Sequence, residues 1–291
     1  MDNQVNIQKK WREKLSHFSE LVMFQHSVFS LPFIFIAMLV AAQGWFGWKL
    51  LFLGALAAVS ARNFAMGVNR YLDRDIDILN PRTMNRPSVD GRVSSAEMVG
   101  FILINAVVFI SVAYLINTLA FKLSFPILIV LGAYTFFKRF SAAAHLILGV
   151  SLGLAPIAGV VAVLNDVTLW SVYLAMGVMF WVAGFDLLYS LQDIEFDKAH
   201  GLHSAPSRFG AQNTMYFAKL FHLLTIVLWE LFVFNAQLGF FAQGAVIISA
   251  LMLIYEHWIV HKDFTKIDKA FFTVNGYLGF VFLILIIMEV I

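Results

Sequence analysis

Asn69, Asp73 and Asp77 stand four residues apart in the stretch NRYLDRDIDILNPRT, and Asp193 and Asp197 repeat the interval in DLLYSLQDIEFD. A helix running through either stretch would stack these side chains on one face. Stacked carboxylates repel each other unless a cation lies between them, and oxygen-rich pairs of this kind suit Mg2+. The matching ligand is a polyanion held through metal ions. A bare diphosphate would be repelled by each carboxylate at about 3 kcal/mol across ~5 Å at an effective dielectric of ~20, and magnesium reverses that sign. The competing reading is a set of solvated loop carboxylates paired with Arg70, Arg74 and Lys198. The recurrence of the pattern favours the metal reading.

Three further groups fit an anion and its chemistry. Tyr134 and Lys138 are four apart beside Arg139, which makes a diphosphate clamp of a lysine point charge and a bidentate arginine, or else a plain topology anchor. Arg62 and Asp186 each lie inside an apolar run, seven residues before Asn69 and Asp193 respectively. Seven residues are two helical turns, so each charge shares a face with its carboxylates. An arginine within hydrocarbon costs roughly 2.5 to 3.5 kcal/mol on insertion scales unless it faces a wet or paired interior, so a polar cavity is expected beneath the aspartates. His200 and His203 flank the second stretch as candidate phosphate contacts; the other histidines, His145 among them, read as structural or interfacial. Of the 30 phenylalanines, a few lining such a cavity would shelter an allylic cation on their ring faces.

The elements that must position these groups are membrane helices. Hydrophobic residues make up 60% of the 291 residues and charged residues only 13%, too few to clothe a soluble core. No cysteine is present, which excludes disulfides and thiolate metal sites. Nine apolar runs approach the length of a span, near 24–43, 49–68, 98–118, 122–137, 143–163, 169–190, 214–235, 239–260 and 270–291. The fourth is short. The first is too long for a signal-peptide core and reads as a retained helix behind a polar segment, residues 1–20. Lys and Arg gather in that segment, in the loop after the second span and in later even-numbered loops, leaving only Lys49 and Lys122 opposite. The asymmetry places the N-terminus and both aspartate stretches in the cytoplasm, and the net charge of +2 is then a topology signal with no implication of nucleic acid. The expected architecture is an all-α polytopic bundle of about nine spans, one domain over 1–291, with a central cavity capped by two cytoplasmic loops near 69–97 and 191–213. In the first loop Ser94 or Ser95 is positioned to cap the third helix.

These motifs together resemble the UbiA superfamily of intramembrane aromatic prenyltransferases. NRYLDRDID is similar to the family's first aspartate signature, NPRTMNRP to its RTxxRP stretch, Asp193 and Asp197 to its second signature, and Tyr134 with Lys138 to its YxxxK. The resemblance implies a polyprenyl diphosphate donor, an aromatic hydroxy acid acceptor of which 4-hydroxybenzoate is the first candidate, and Mg2+, in quinone biosynthesis in a bacterial inner membrane. It implies metal binding by Asn69, Asp73, Asp77, Asp193 and Asp197, departure of diphosphate assisted by Lys138 and Arg139, and substrate contacts from Arg62, Arg74, Tyr134, Asp186 and His203. Arg62 is the candidate for the acceptor carboxylate. Two departures stand out: Arg70 replaces a second acidic residue of many members, and HGLHS is similar to a subgroup acting on a hydroxylated naphthoate in menaquinone biosynthesis. A transporter with Arg62 and Asp186 on an ion path, and a noncatalytic membrane scaffold, are the readings from other classes.

Overall fold

In the computed structural model, which describes residues 12–14, 16–22, 31–137 and 139–291, the apolar runs form helices. Eight helices among the described residues are long and apolar enough to cross a bilayer, and a shorter one, Leu31–Ala42 (α1), covers the described part of the first expected span. The others are α2 (Trp48–Leu72), α3 (Ser95–Ile116), α4 (Thr118–Phe137), α5 (Ala144–Leu164), α6 (Leu169–Tyr189), α7 (Ala205–Asn235), α8 (Phe240–Lys262) and α9 (Asn275–Val290), the last entered through a π-turn at Ala270–Val274.

The helix boundaries have local causes. Ser94 caps α3 in a capping box, its hydroxyl accepting from the Glu97 N–H while Glu97 reaches back to the Ser94 N–H. Asn165 ends α5 in the left-handed region at φ 54°, which asparagine tolerates. Three expectations shift. The fourth span begins at Thr118, because Lys122 sits within the first turns of the helix and does not mark its edge. The seventh begins at Ala205, capped by Ser204, and breaks at Gly210, whose φ of 80° and ψ of 162° only glycine adopts readily. The loops shrink accordingly: α2 carries the chain through Leu72, and the 191–213 region holds a 3-10 turn, Ser190–Asp193, and a short helix, Ile194–Ala199.

Packing makes α6 the central post. Its membrane stretch is 67% buried, against 17% for α3, whose flank is left to lipid. In hydrocarbon the drive for helix contact is close packing rather than desolvation, so small residues mark the seams. Gly149 and Gly153 of α5 lie on α6; a Cβ on Gly149 would overlap the Met179 carbonyl, and one on Gly153 would come within 2.8 Å of the Ala175 carbonyl. On the other flank of α6, Phe33, Trp181, Trp229 and Phe282 join α1, α6, α7 and α9 through ring centroids 5.1 to 6.1 Å apart.

The start of α8 has no capping side chain of its own. Glu289 of α9 supplies one, accepting from the N–H groups of Gly239 (2.7 Å), Phe241 (2.8 Å) and Ala242 (3.2 Å). A carboxylate at a helix N-terminus satisfies orphan donors and meets the positive end of the dipole. Glu289→Ala is expected to destabilise the detergent-solubilised protein by about 1 to 2 kcal/mol, and Glu289→Gln by less. Unfolding curves identical to wild type for both variants would show that the cap carries no stability.

Candidate active site

The two aspartate stretches share one local design. Each follows a span, directly in the first case and through the 3-10 turn Ser190–Asp193 in the second, bends at its first aspartate (Asp73 at φ −88°, ψ 3°; Asp193 at φ −100°, ψ 8°), and resumes as a short helix, Arg74–Asp77 or Ile194–Ala199, that buries the second. The single continuous stripe expected from the spacing is therefore two helical pieces with a bend between them. Asp73, Asp77 and Asp197 retain 2%, 4% and 9% exposure. Carboxylates so buried need charged or hydrogen-bonding partners.

The first loop supplies partners to Asp77 and to Asp193, and Asn69 and Arg139 supply those of Asp73. Arg86 Nη1 donates to both oxygens of Asp77 at 2.7 Å. Arg82 forks onto Asp193, through Nε at 3.1 Å and Nη2 at 2.5 Å, and Asn80 Nδ2 adds a contact at 3.4 Å. One loop thus ties the first stretch to the second. Burial lowers the Arg82 pKa, but its hydrogen bond and attraction to Asp193 outweigh burial and leave it raised. Arg139 forks onto Asp75 at 2.7 and 2.9 Å, donates to the Leu72 carbonyl at 2.6 Å and lies 3.9 Å from Asp73. Its hydrogen bond holds the Asp75 carboxyl below the ordinary carboxylate range. Asn69 Nδ2 donates to Asp73 at 3.0 Å and to Thr135 at 3.3 Å, while its Oδ1 accepts from Arg70 at 3.4 Å. Arg70 thereby orients the amide, and its Nε donates to the Leu21 carbonyl.

Below this cluster lies a cavity of about 260 Å³ among α1 to α6, lined mainly by aliphatic and alanine side chains. Its ionisable lining is Arg62, Tyr134 and Asp186, and Phe109, Phe185 and Phe271 are its phenylalanines. The cavity expected beneath the aspartates is therefore present, but its walls are apolar where a polar pocket was expected, and Arg62 and Asp186 stand as single charges on them. Two links join it to the cluster. Tyr134 on the wall precedes Thr135, which contacts Asn69. Phe271 packs on Tyr189 at 4.3 Å between centroids, and the Tyr189 hydroxyl lies 3.4 Å from Arg82.

Other candidates fall elsewhere. Arg74 donates to the Ser95 hydroxyl and the Tyr71 carbonyl and lies 4.3 Å from the Tyr71 ring centroid, off the cavity wall. His203 is exposed in a shallow basin with Asp197, Lys198 and Arg208. His200 turns back to the Phe196 carbonyl. Lys138 lies outside the described residues. Arg62, by contrast, is on the cavity wall, where it also donates to the Val22 carbonyl at 2.8 Å.

Sequence reasoning did not pick out Asn80, Arg82 and Arg86 as the partners of the aspartates, although NPRTMNRP set the two arginines four apart. Nor did it find His145, whose Nδ1 lies 2.7 Å from Asp186 Oδ2. A lone histidine opening an apolar helix carries no signal until the fold places α6 beside it.

The fold and site define a polytopic membrane enzyme in which an arginine-bridged acidic cluster covers an apolar chamber. The profile of the UbiA prenyltransferase family matches residues 30–285, and the chain belongs to that family. A 4-hydroxybenzoate octaprenyltransferase from Herminiimonas arsenicoxydans is 28% identical over 246 residues, covering 84% of this chain and 85% of that protein. The apo structure of a UbiA homologue from Aeropyrum pernix K1 superposes with a TM-score of 0.82 at 31% identity, over 90% of this chain and 97% of that one. A UbiA homologue from Archaeoglobus fulgidus bound to GPP and Mg2+ shares the fold at a TM-score of 0.75 and 18% identity, over 93% and 99%.

The loop tether is testable by itself. A double-mutant cycle of Arg82→Ala and Asp193→Asn, read by thermal unfolding, is expected to give a coupling of about 0.5 to 1 kcal/mol, because Arg82 is partly exposed and solvent screens the pair. Strict additivity would remove the tether.

Proposed function

We propose that this protein transfers a polyprenyl group from a polyprenyl diphosphate to the ring of an aromatic hydroxy acid, 4-hydroxybenzoate, with Mg2+ at the aspartates and the reacting face towards the cytoplasm of a bacterial inner membrane. The observation that carries this reading is the placement of Arg62 and Asp186 on the wall of an apolar chamber directly linked to the acidic cluster. The names of the relatives support the acceptor and the prenyl donor, and the Archaeoglobus homologue supports Mg2+.

The donor chemistry suits the metal, while among the described residues no three of these carboxylates converge as a ready-made cation site. Asp73, Asp77, Asp193 and Asp197, with the Asn69 amide, offer only hard oxygen ligands of the kind magnesium takes. Bound there, magnesium would neutralise the diphosphate and the charge that develops as it leaves. In this reading Arg82 and Arg86, which now balance Asp193 and Asp77, are the neighbouring cations able to turn to phosphate, and Arg139, which reaches Asp75 and Asp73, is a third; Lys138 joins them by its place in the YxxxK motif alone. The C–O bond of the prenyl diphosphate breaks with its electron pair on the departing oxygen. A ring carbon of the acceptor then forms the new C–C bond, and its proton is lost.

The chamber walls suit that sequence. Phe109, Phe185 and Phe271 present ring surfaces to an allylic cation, and the aliphatic lining excludes water that would capture it. Arg62 holds the acceptor carboxylate by a charge-assisted pair. The HGLHS segment, with His203, supports a second acceptor, 1,4-dihydroxy-6-naphthoate.

Membranes containing the protein, supplied with Mg2+, a polyprenyl diphosphate and either acceptor, are expected to yield the prenylated 4-hydroxybenzoate mass, abolished by EDTA and by Asp73→Asn. Product from the naphthoate alone would move the acceptor, and no product from folded protein would reject the reaction for both. Arg62→Ala is expected to raise the acceptor KM by roughly tenfold or more, in line with losing a charged hydrogen bond of about 1.5 to 3 kcal/mol, with the donor KM little changed. Equal effects on both substrates would remove Arg62 from the acceptor.

A further inference from the structure

His145 stands at the junction of three elements. It lies in the first turn of α5, its ring meets Asp186 on α6, and it is 7% exposed. Its Nε2 accepts the backbone N–H of Ala205, the first residue of α7, at 3.3 Å. A ring nitrogen that accepts an N–H bears no proton, so in the neutral ring the proton resides on Nδ1. That Nδ1–H then donates to Asp186 Oδ2 at 2.7 Å, the short distance of a bond to a carboxylate. A backbone amide thus sets the tautomer, and the tautomer sets the carboxylate. Asp186 is part of the cavity wall, and its side chain retains 23% exposure.

We propose that His145 is a positioning residue: it orients Asp186, with one oxygen engaged and the other left for the cavity, as the acceptor of the proton that the aromatic ring loses. This rests on the function proposed above. As the new C–C bond forms, the ring carbon retains its hydrogen and the ring carries the positive charge brought by the prenyl group. Transfer of that hydrogen to Asp186 as a proton returns the bonding pair to the ring and restores aromaticity. Once the product has left the chamber and solvent reaches the wall, the carboxylic acid so formed gives up its proton, and the net products are prenylated acceptor, diphosphate and one proton. His145 itself neither gains nor loses a proton in this sequence. Its part is orientational, as for the carboxylate and backbone partners that fix catalytic imidazoles, with the roles reversed.

The arrangement also couples the second aspartate stretch to the chamber. The chain between Asp186 and Ala205 contains Asp193 and Asp197, and His145 grips both of its ends. A glutamine at 145 can imitate the grip, offering an amide N–H to Asp186 and a carbonyl oxygen to Ala205. An alanine cannot.

The test uses the full chain in nanodiscs with Mg2+, a polyprenyl diphosphate and whichever acceptor the wild type prenylates. Asp186→Asn is expected to lower kcat by about 100-fold or more, the scale of a lost general base. His145→Ala is expected to lower kcat about tenfold with both KM values within twofold, and His145→Gln to recover most of that loss. A His145→Ala enzyme with wild-type kcat, or a His145→Gln enzyme as poor as His145→Ala, overturns the proposal. A readout independent of turnover is the 15N spectrum of histidine-labelled protein. The resonance absent from His145→Gln is expected to show a protonated Nδ1 and a bare Nε2; the opposite tautomer overturns the assignment. Wild-type protein that prenylates neither acceptor defeats the proposed reaction and with it the role of Asp186, while the tautomer measurement still decides the geometry separately.

Discussion

Buried carboxylates at the end of a membrane bundle require compensation, and this structure is arranged around meeting that requirement. Asp77 and Asp193 belong to stretches more than a hundred residues apart, yet both are balanced by arginines of one short loop, Arg86 and Arg82. An unpaired charge at buried Asp77 would cost several kcal/mol, while the partly exposed Asp193 gains a weaker, screened attraction. The loop between Asn80 and Arg86 that serves both lies across the two stretches. Once it does, the ends of α2 and α6 are drawn together, and the chamber beneath them acquires its roof. Fold and site are in this sense one problem in electrostatics.

The chamber beneath follows from a different constraint. Alanines and glycines of α2 and α5 keep its walls thin, while bulky aromatics concentrate on the far side of α6, where Trp181 and Trp229 are fully buried. The division places void on one flank of α6 and dense packing on the other. Close contacts at Gly149 and Gly153 hold α5 against the post, so the cavity does not close by drift of its walls. The same helix α6 contributes Asp186 and Phe185 to the chamber and Trp181 to the aromatic core, which makes it the shared boundary of stability and chemistry.

Much of this was legible in the residues alone. Span count, the paired aspartate stretches and the cavity implied by Arg62 and Asp186 all derive from local spacing and from the cost of charge in hydrocarbon, and those quantities are printed in the chain. The illegible parts share a cause: they depend on partners distant in sequence. Arg82 reads as one more basic loop residue until Asp193, 111 positions away, meets it. His145 and Asp186 are 41 apart, and no period connects them. Gly210 falls in the stretch read as the second loop, 191–213, whereas the structure makes it a break inside α7, because the helix starts at Ala205 and resumes past the glycine. Arg70 appeared as a substitution within the acidic signature, whereas its guanidinium serves the Asn69 amide and the Leu21 carbonyl.

The cap that Glu289 places on α8 has a consequence for biogenesis. The acceptor lies 50 residues beyond Gly239, the first N–H it receives. Synthesis is vectorial, and domains assemble from the N-terminus as they emerge, so α8 enters the bilayer before its capping carboxylate exists. Until then its leading amides rely on headgroup water. The seam between α8 and α9 is therefore a late event of assembly, settled after the acidic cluster and its chamber already have all their parts.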